Sequence, residues 1–245
     1  MKFNVKHAIK VAVSKIFNLH LSGADQGQIN TLLALKYIKK SLSRDAVFVE
    51  VGAAAEATFS GMNTTLNLDP SNSHLIEACP ENHAALSKKL PNSHCHNFAI
   101  AAEDGVISFY VHNEDSEAGS SRGNTLYRSA AIEKYGEGNF KEIQVPAKTL
   151  NTFLNEFKIE NVGLMFMNCE GAEYDIFRGD VDFLDNIQFF CLDLHDGCKT
   201  FNDLNAEKLR LYDRMEQKGF VKLGGPDREA LKSANYHVSF LWEKE

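Results

Sequence analysis

No run of Lys or Arg is long enough to follow a phosphate backbone, and 33 acidic against 26 basic residues leave a net charge of -7. That balance argues against nucleic acid as a partner. Long apolar runs are also missing, so no segment reads as a membrane span. Cysteine is sparse and odd in number: Cys79, Cys95, Cys169, Cys191 and Cys198 are scattered, some inside apolar runs. This reads as reduced thiols in a cytoplasmic setting rather than a disulfide framework. There is no Pro-rich linker and no internal repeat, so 245 residues read as one α/β domain with an added arm. A glycine-rich dinucleotide loop is absent too. Cys191, His195 and Cys198, like His94-Cys95-His96, lack a four-ligand zinc pattern. Oxygen ligation of Mg²⁺ by Glu170, Glu173 and Asp193 stays open.

What is present begins with Lys6–Phe17, an amphipathic helix in pattern, with Ile9, Val13, Ile16 and Phe17 on one side. Lys10 and Lys15 interrupt it, so it is not read as a signal peptide. Gln28–Leu42 reads as a second helix. Residues 1–45 are thus expected as a helical segment packed on a core domain of 46–245.

The rest is organised around Gly163–Asp175, GLMFMNCEGAEYD. Its apolar start reads as a buried parallel strand, and the polar cluster after it as a strand-to-helix turn. Glu170 and Glu173 fall at that strand's C-terminal edge, where open α/β sheets bind ligands. Being three apart, they share one helical face if the helix begins early. Ala46–Val51 is a second buried strand, followed by the small-residue stretch GAAAEATFS, with Glu50 near its end. There Gly52 and Ala53 remove bulk where a ligand could lie against the main chain. His74–Ala78 ends in Glu77, where a carboxylate can hold both ribose hydroxyls. His94–Ile100 reads as a third strand, and Val106–Val111 and Lys141–Pro146 as further ones. His112–Gly138 reads as a long irregular loop, with Ser120, Ser121 and Arg122 as acceptor-site candidates. Thr149 is the expected N-cap of a helix to Phe157. Ile187–Leu194 delivers Asp193 and His195 to the sheet edge, a helix over Asn202–Lys218 follows, and Phe220–Leu223 and His237–Trp242 close the chain as strands.

The order strand–GAAAE–helix, strand–E, NFAIA, NCEGAEYDIFRG and CLDLH resembles the FkbM-type methyltransferases, over roughly Ala46 to His195. IEACPENHAAL, Ile76 to Leu86, matches as well. The resemblance implies a class I methyltransferase (Rossmann-like) α/β fold. Its sheet would be mostly parallel, with helices on both faces and an antiparallel final strand. It implies S-adenosyl-L-methionine as cofactor and methyl transfer to a hydroxyl of a small molecule or glycan. By the same likeness Glu50, Gly52 and Ala53 would line the methionine end of the cofactor. Glu77 would hold the ribose, Asn97 and Ala99 would lie near the adenine, and Glu170, Glu173 and His195 would approach the methyl-transfer site. Two positions depart from the family pattern: Glu56, where a second Gly is common, and Asn168, where Asp usually precedes EGAE.

Methyl transfer to a hydroxyl needs positioning and often a base. Glu170 or Glu173 could orient or deprotonate the acceptor, and His195, with an intrinsic pKa nearer neutrality, is the better base. Two rivals remain at this level: a methyltransferase fold that only binds, suggested by Glu56 and Asn168, and an NAD-dependent oxidoreductase.

Overall fold

The computed structural model describes residues 37–55, 57–58, 63, 65–113, 124–195, 203–232 and 238–245. The expected helix at Lys6–Phe17, most of that at Gln28–Leu42, Glu56, Ser120–Arg122 and Cys198 lie outside these.

Among the described residues, ten strands form two sheets. The larger takes β1 (Val47–Val51), β2 (Ser73–Ile76), β3 (His94–His96), β7 (Val162–Met167), β8 (Ile187–Leu194), β9 (Phe220–Gly224) and β10 (Val238–Lys244), in spatial order β3-β2-β1-β7-β8-β10-β9. β3, β2, β1, β7 and β8 run parallel, while β10 is antiparallel to both β8 and β9. This is the class I methyltransferase arrangement, with the strand order reversing between β1 and β7. The smaller sheet is β4 (Ala99–Ile100), β6 (Phe140–Lys148) and β5 (Gly105–His112), in that order.

The alternation of strand side chains divides the core. Val49, Val51, Met165, Met167, Phe190, Leu192, Phe240 and Trp242 face one side of the large sheet. Phe48, Leu164, Phe166, Phe189 and Leu241 face the other, with Ile38 from the helical residues 37–41 among them. The helices are α1 (Pro80–Lys89), α2 (Arg128–Tyr135), α3 (Leu150–Glu156), α4 (Ala172–Ile176), α5 (Leu204–Gln217) and α6 (Arg228–Leu231). Thr149 caps α3 as expected, accepting from Thr152 N, and Asp203 caps α5, accepting from Ala206 N.

Three expectations are corrected. His94–Ile100 is not one strand: the chain leaves the large sheet after His96, and Ala99–Ile100 pair with Ala147–Lys148 in the small one. His112–Gly138 is not wholly irregular, since it contains α2, whose end Gly136 takes at φ 84° while its amide bonds Ile132 O. Glu170 and Glu173 do not share a helical face, because α4 begins only after Gly171.

Candidate active site

The loops after β1 and β7 meet at the centre. Asn168 N donates to Val51 O at 3.0 Å, and a Cβ on Gly52 would lie 1.9 Å from Asn168 O. Gly52 also stands at φ 82°, so both its backbone and its surroundings require glycine. The close approach expected for a ligand at this residue is made by the chain's own carbonyl. Gly52 N and Ala53 N both donate to Ile76 O at 3.0 Å, and Ala57 N donates to Ala53 O at 2.9 Å. Ala54 N donates to Glu77 Oε2 at 2.7 Å, and Thr58 N to Glu50 Oε1 at 2.6 Å. The amides at 52, 53, 54, 57 and 58 therefore all have protein acceptors. A pyrophosphate needs such amides free, so these five are not offered to one.

Glu50 is 1% exposed and acts as a clamp on the loop. Ala53 is buried in the core beside Phe48 and Leu75. Glu77 accepts Cys79 N at 2.8 Å as well as Ala54 N, using one oxygen for each. Burial pushes its carboxyl above the usual carboxylate range, opposed by those two amides and the Asn82 side chain. A carboxylate has about four acceptor sites, so with these three donors on it Glu77 keeps one for a ribose hydroxyl. Asn97 Nδ2 ties the end of β3 to the end of β2, donating to Glu77 O at 2.9 Å and Ala78 O at 3.1 Å. Ala99 is buried, in register with Ala147.

On the other side of the β1 loop the turn after β7 gathers charge. Glu170 stands at φ 52° and Gly171 at φ 103°, two left-handed residues that end the strand and start α4. Glu173, fully buried, accepts from Cys169 N at 2.5 Å and Gly171 N at 2.8 Å, closing this turn. His195, just past β8, places Nδ1 3.4 Å from Glu173 Oε1 and Nε2 3.8 Å from Glu170 Oε1. Burial of the imidazole favours its neutral form, but the Glu173 contact and the charges of Glu170 and Asp193 outweigh it, and its pKa rises to about 9. His195 is thus a cation at neutral pH, not the ready base its intrinsic pKa suggests. Asp193 is 2% exposed and bonded to the Ser239 hydroxyl of the neighbouring strand, so it supports the site from within the sheet.

The sequence-predicted residues therefore fall into two clusters beside the β1–β7 crossover. Glu50, Gly52, Ala53, Glu77 and Asn97 build one, and Glu170, Glu173 and His195 the other; Ala99 belongs to the small sheet. Three further residues reach the acidic turn from residues 124–135. Thr125 Oγ1 donates to Glu170 O at 3.2 Å, Lys134 Nζ lies 3.3 Å from Glu170 Oε2, and the Tyr127 hydroxyl donates to Asp175. The Gly136 stop could have revealed α2; nothing in the sequence joins it to Glu170. Among the described residues, no three His, Cys, Asp or Glu side chains are arranged to hold a metal ion. A cavity of about 220 Å³, lined by Ala101, Thr149, Ile176, Asp180 and Phe183 among others, shares no residue with this site.

Comparison with known proteins gives one family: a model described as the Methyltransferase FkbM domain matches residues 50–221. No curated protein matches the chain. Solved structures are similar at low identity. One is the Methanococcus jannaschii fibrillarin pre-rRNA processing protein, at 14% identity, covering 83% of this chain and 69% of that one, TM-score 0.42. M. capricolum TrmK in complex with S-adenosyl-homocysteine is 9% identical, covering 86% of this chain and 68% of that one, TM-score 0.41. An rRNA methylase from Streptococcus thermophilus is 8% identical, covering 90% of this chain and 99% of that one, TM-score 0.44.

Proposed function

Since the chain belongs to the FkbM methyltransferase family, we propose that it transfers a methyl group from S-adenosyl-L-methionine to a hydroxyl of a small molecule or glycan. The observation that carries this reading is the gap between Glu170 Oε1 and His195 Nε2. At 3.8 Å it is too long for a direct hydrogen bond, yet one hydroxyl oxygen can lie about 2.8 Å from both atoms. The donor side is supported by Glu77, a buried carboxylate with one acceptor site left, beside five loop amides that already have protein acceptors. An acceptor for a ribose hydroxyl, beside amides not offered to a pyrophosphate, favours S-adenosyl-L-methionine over NAD.

Bound there, the cofactor supplies an electrophilic methyl on a sulfonium. Glu77 would hold the ribose, Asn97 would keep the ends of β2 and β3 together, and Glu50 would keep the loop closed through Thr58. At the acceptor, the hydroxyl would turn its one hydrogen to His195, while Glu170 Oε1 across the gap would bound where the oxygen sits and offset the charge that builds on the ring. His195, when neutral at Nε2, would receive the proton. Glu173 would hold the ring through Nδ1 and would not itself touch the acceptor. The acceptor oxygen becomes more nucleophilic as its proton moves to His195, and the imidazolium formed is stabilised by the carboxylates that raise its pKa.

Titration calorimetry with S-adenosyl-L-methionine and S-adenosylhomocysteine, with NAD as control, tests the donor. Both should bind, Glu77→Ala should weaken them about 10–100-fold, and NAD should not bind. Methyl transfer to a panel of polyols and methyl glycosides then tests the acceptor. Turnover should rise with pH towards 9, the value for His195, and His195→Gln should remove that rise. Donor binding with no transfer to any hydroxyl acceptor would favour a protein that only binds.

A further inference from the structure

Glu170 is held at more points than the turn needs. Its left-handed backbone costs about 1–2 kcal/mol for a non-glycine residue, and Thr125, 2% exposed, secures its carbonyl. Thr125 is fixed in turn by a two-way backbone pair with Tyr110, N to O at 2.8 and 3.1 Å. The Tyr127 hydroxyl fastens the start of α2 to Asp175, and Tyr135 at its end packs on His112 at 4.5 Å. Between these anchors α2 presents Lys134 to one oxygen of the Glu170 carboxylate, while His195 faces the other. The side chains of Lys134 and Glu170 are 44% and 26% exposed. A pair so open to water contributes little to stability, so its effect falls on where the carboxylate points and what charge it meets.

We propose that Lys134 is a positioning residue for the acceptor site: it engages one Glu170 oxygen and leaves the other to face His195 across the gap that takes the acceptor hydroxyl. This rests on the reading of the site given above. The charged and titratable groups against Glu170 among the described residues are then Lys134 and Tyr135 from α2, Cys169 from its own turn and His195 beyond β8, and those against His195 are Glu170, Glu173 and Asp193. With Lys134 removed, Glu170 is free to close on His195 with both oxygens. The imidazolium then gains attraction from the freed carboxylate, and the gap narrows.

The test is a double-mutant cycle read by NMR of the His195 ring proton against pH. Lys134→Met should raise the His195 midpoint by about half a pH unit, and Lys134→Arg should return it to the wild-type value. In a Glu170→Gln background Lys134→Met should change it little, since the action passes through Glu170. An unmoved midpoint in Lys134→Met overturns the proposal. So does a rise that persists without the Glu170 carboxylate, which would make Lys134 a through-space charge only. For a hydroxyl acceptor turned over by the wild type, kcat should fall about ten-fold in Lys134→Met with donor affinity kept; unchanged kcat overturns the proposal as well. Failure of the wild type to bind S-adenosyl-L-methionine by calorimetry would sink the functional reading instead, while the cycle still decides Lys134.

Discussion

Glu170 and Glu173 are the same residue type three positions apart, and the fold gives them opposite work. Glu173 has no exposed surface and accepts two backbone amides while its Oε1 faces His195. Glu170 keeps a quarter of its side chain in contact with solvent. Replacing Glu173 with Gln leaves one acceptor oxygen for two amides and turns an amide N–H towards another donor. The loss of charge-assisted bonds in a buried turn should cost about 2–3 kcal/mol, measurable by chemical denaturation. The same substitution should bring His195 down from about 9 towards its ordinary range, since Glu173 is the main cause of the rise. An unchanged His195 midpoint in Glu173→Gln would contradict this division of roles. The sequence placed both carboxylates at the strand edge, because a buried apolar run that stops at a polar cluster is a local signal. Which one braces and which one faces outward depends on left-handed geometry at Glu170 and Gly171, which the residue types alone do not specify.

At the scale of elements, what could be read was what lies within one strand or one cap. β7 and β8 are apolar runs with distinct ends, and Thr149 and Asp203 cap α3 and α5 from their own side chains. In the small sheet β5 and β6 were legible as strands, but their separation from the large sheet was hidden, because β4 contributes only Ala99 and Ile100, whose partners lie more than forty residues on. A segment that short has no periodicity of its own. Lys134 was hidden for the same reason, since its link to Glu170 spans 36 residues and passes through an eight-residue helix. Gly52 shows how far an element depends on a neighbour that the sequence does not reveal. Its opening receives Asn168 O, so the β1 and β7 loops can approach only if position 52 has no side chain. Gly52→Ala adds left-handed strain of about 1–2 kcal/mol and sets its Cβ 1.9 Å from the Asn168 carbonyl oxygen, a clash with main chain that no rotamer can relieve. The expected loss is more than about 3 kcal/mol of stability, with S-adenosyl-L-methionine binding lost too. Wild-type stability in this variant by chemical denaturation would show that the two loops separate without cost.

Across the whole molecule, histidines set opposing limits on the pH at which the fold is firmest. His74 and His96 lie side by side on β2 and β3, Nδ1 to Nε2 at 3.1 Å, so one donates and the other accepts. Burial, with the charge of His94 for His74 and of His74 and His94 for His96, lowers both to about 4. An unfolded histidine titrates near ~6.5, so below that pH the unfolded chain takes up protons that this pair refuses. Their stabilisation is complete above about pH 6.5 and is lost as the pH falls towards 4. His195 works in the other direction. Its folded value of about 9 lies above the unfolded one, so its stabilisation is complete below about pH 6.5 and is lost as the pH rises through 9. Urea denaturation across the range should therefore find greatest stability near neutral or slightly acidic pH. On the alkaline side the slope should approach about 1.4 kcal/mol lost per pH unit from this one group. His195→Gln should flatten that arm and leave the acid arm in place, while His96→Gln should relax the acid arm and leave the alkaline one. An alkaline arm that persists in His195→Gln would mean that the charge at the acceptor site is not linked to folding. The Glu173–His195 pair would then serve the chemistry alone.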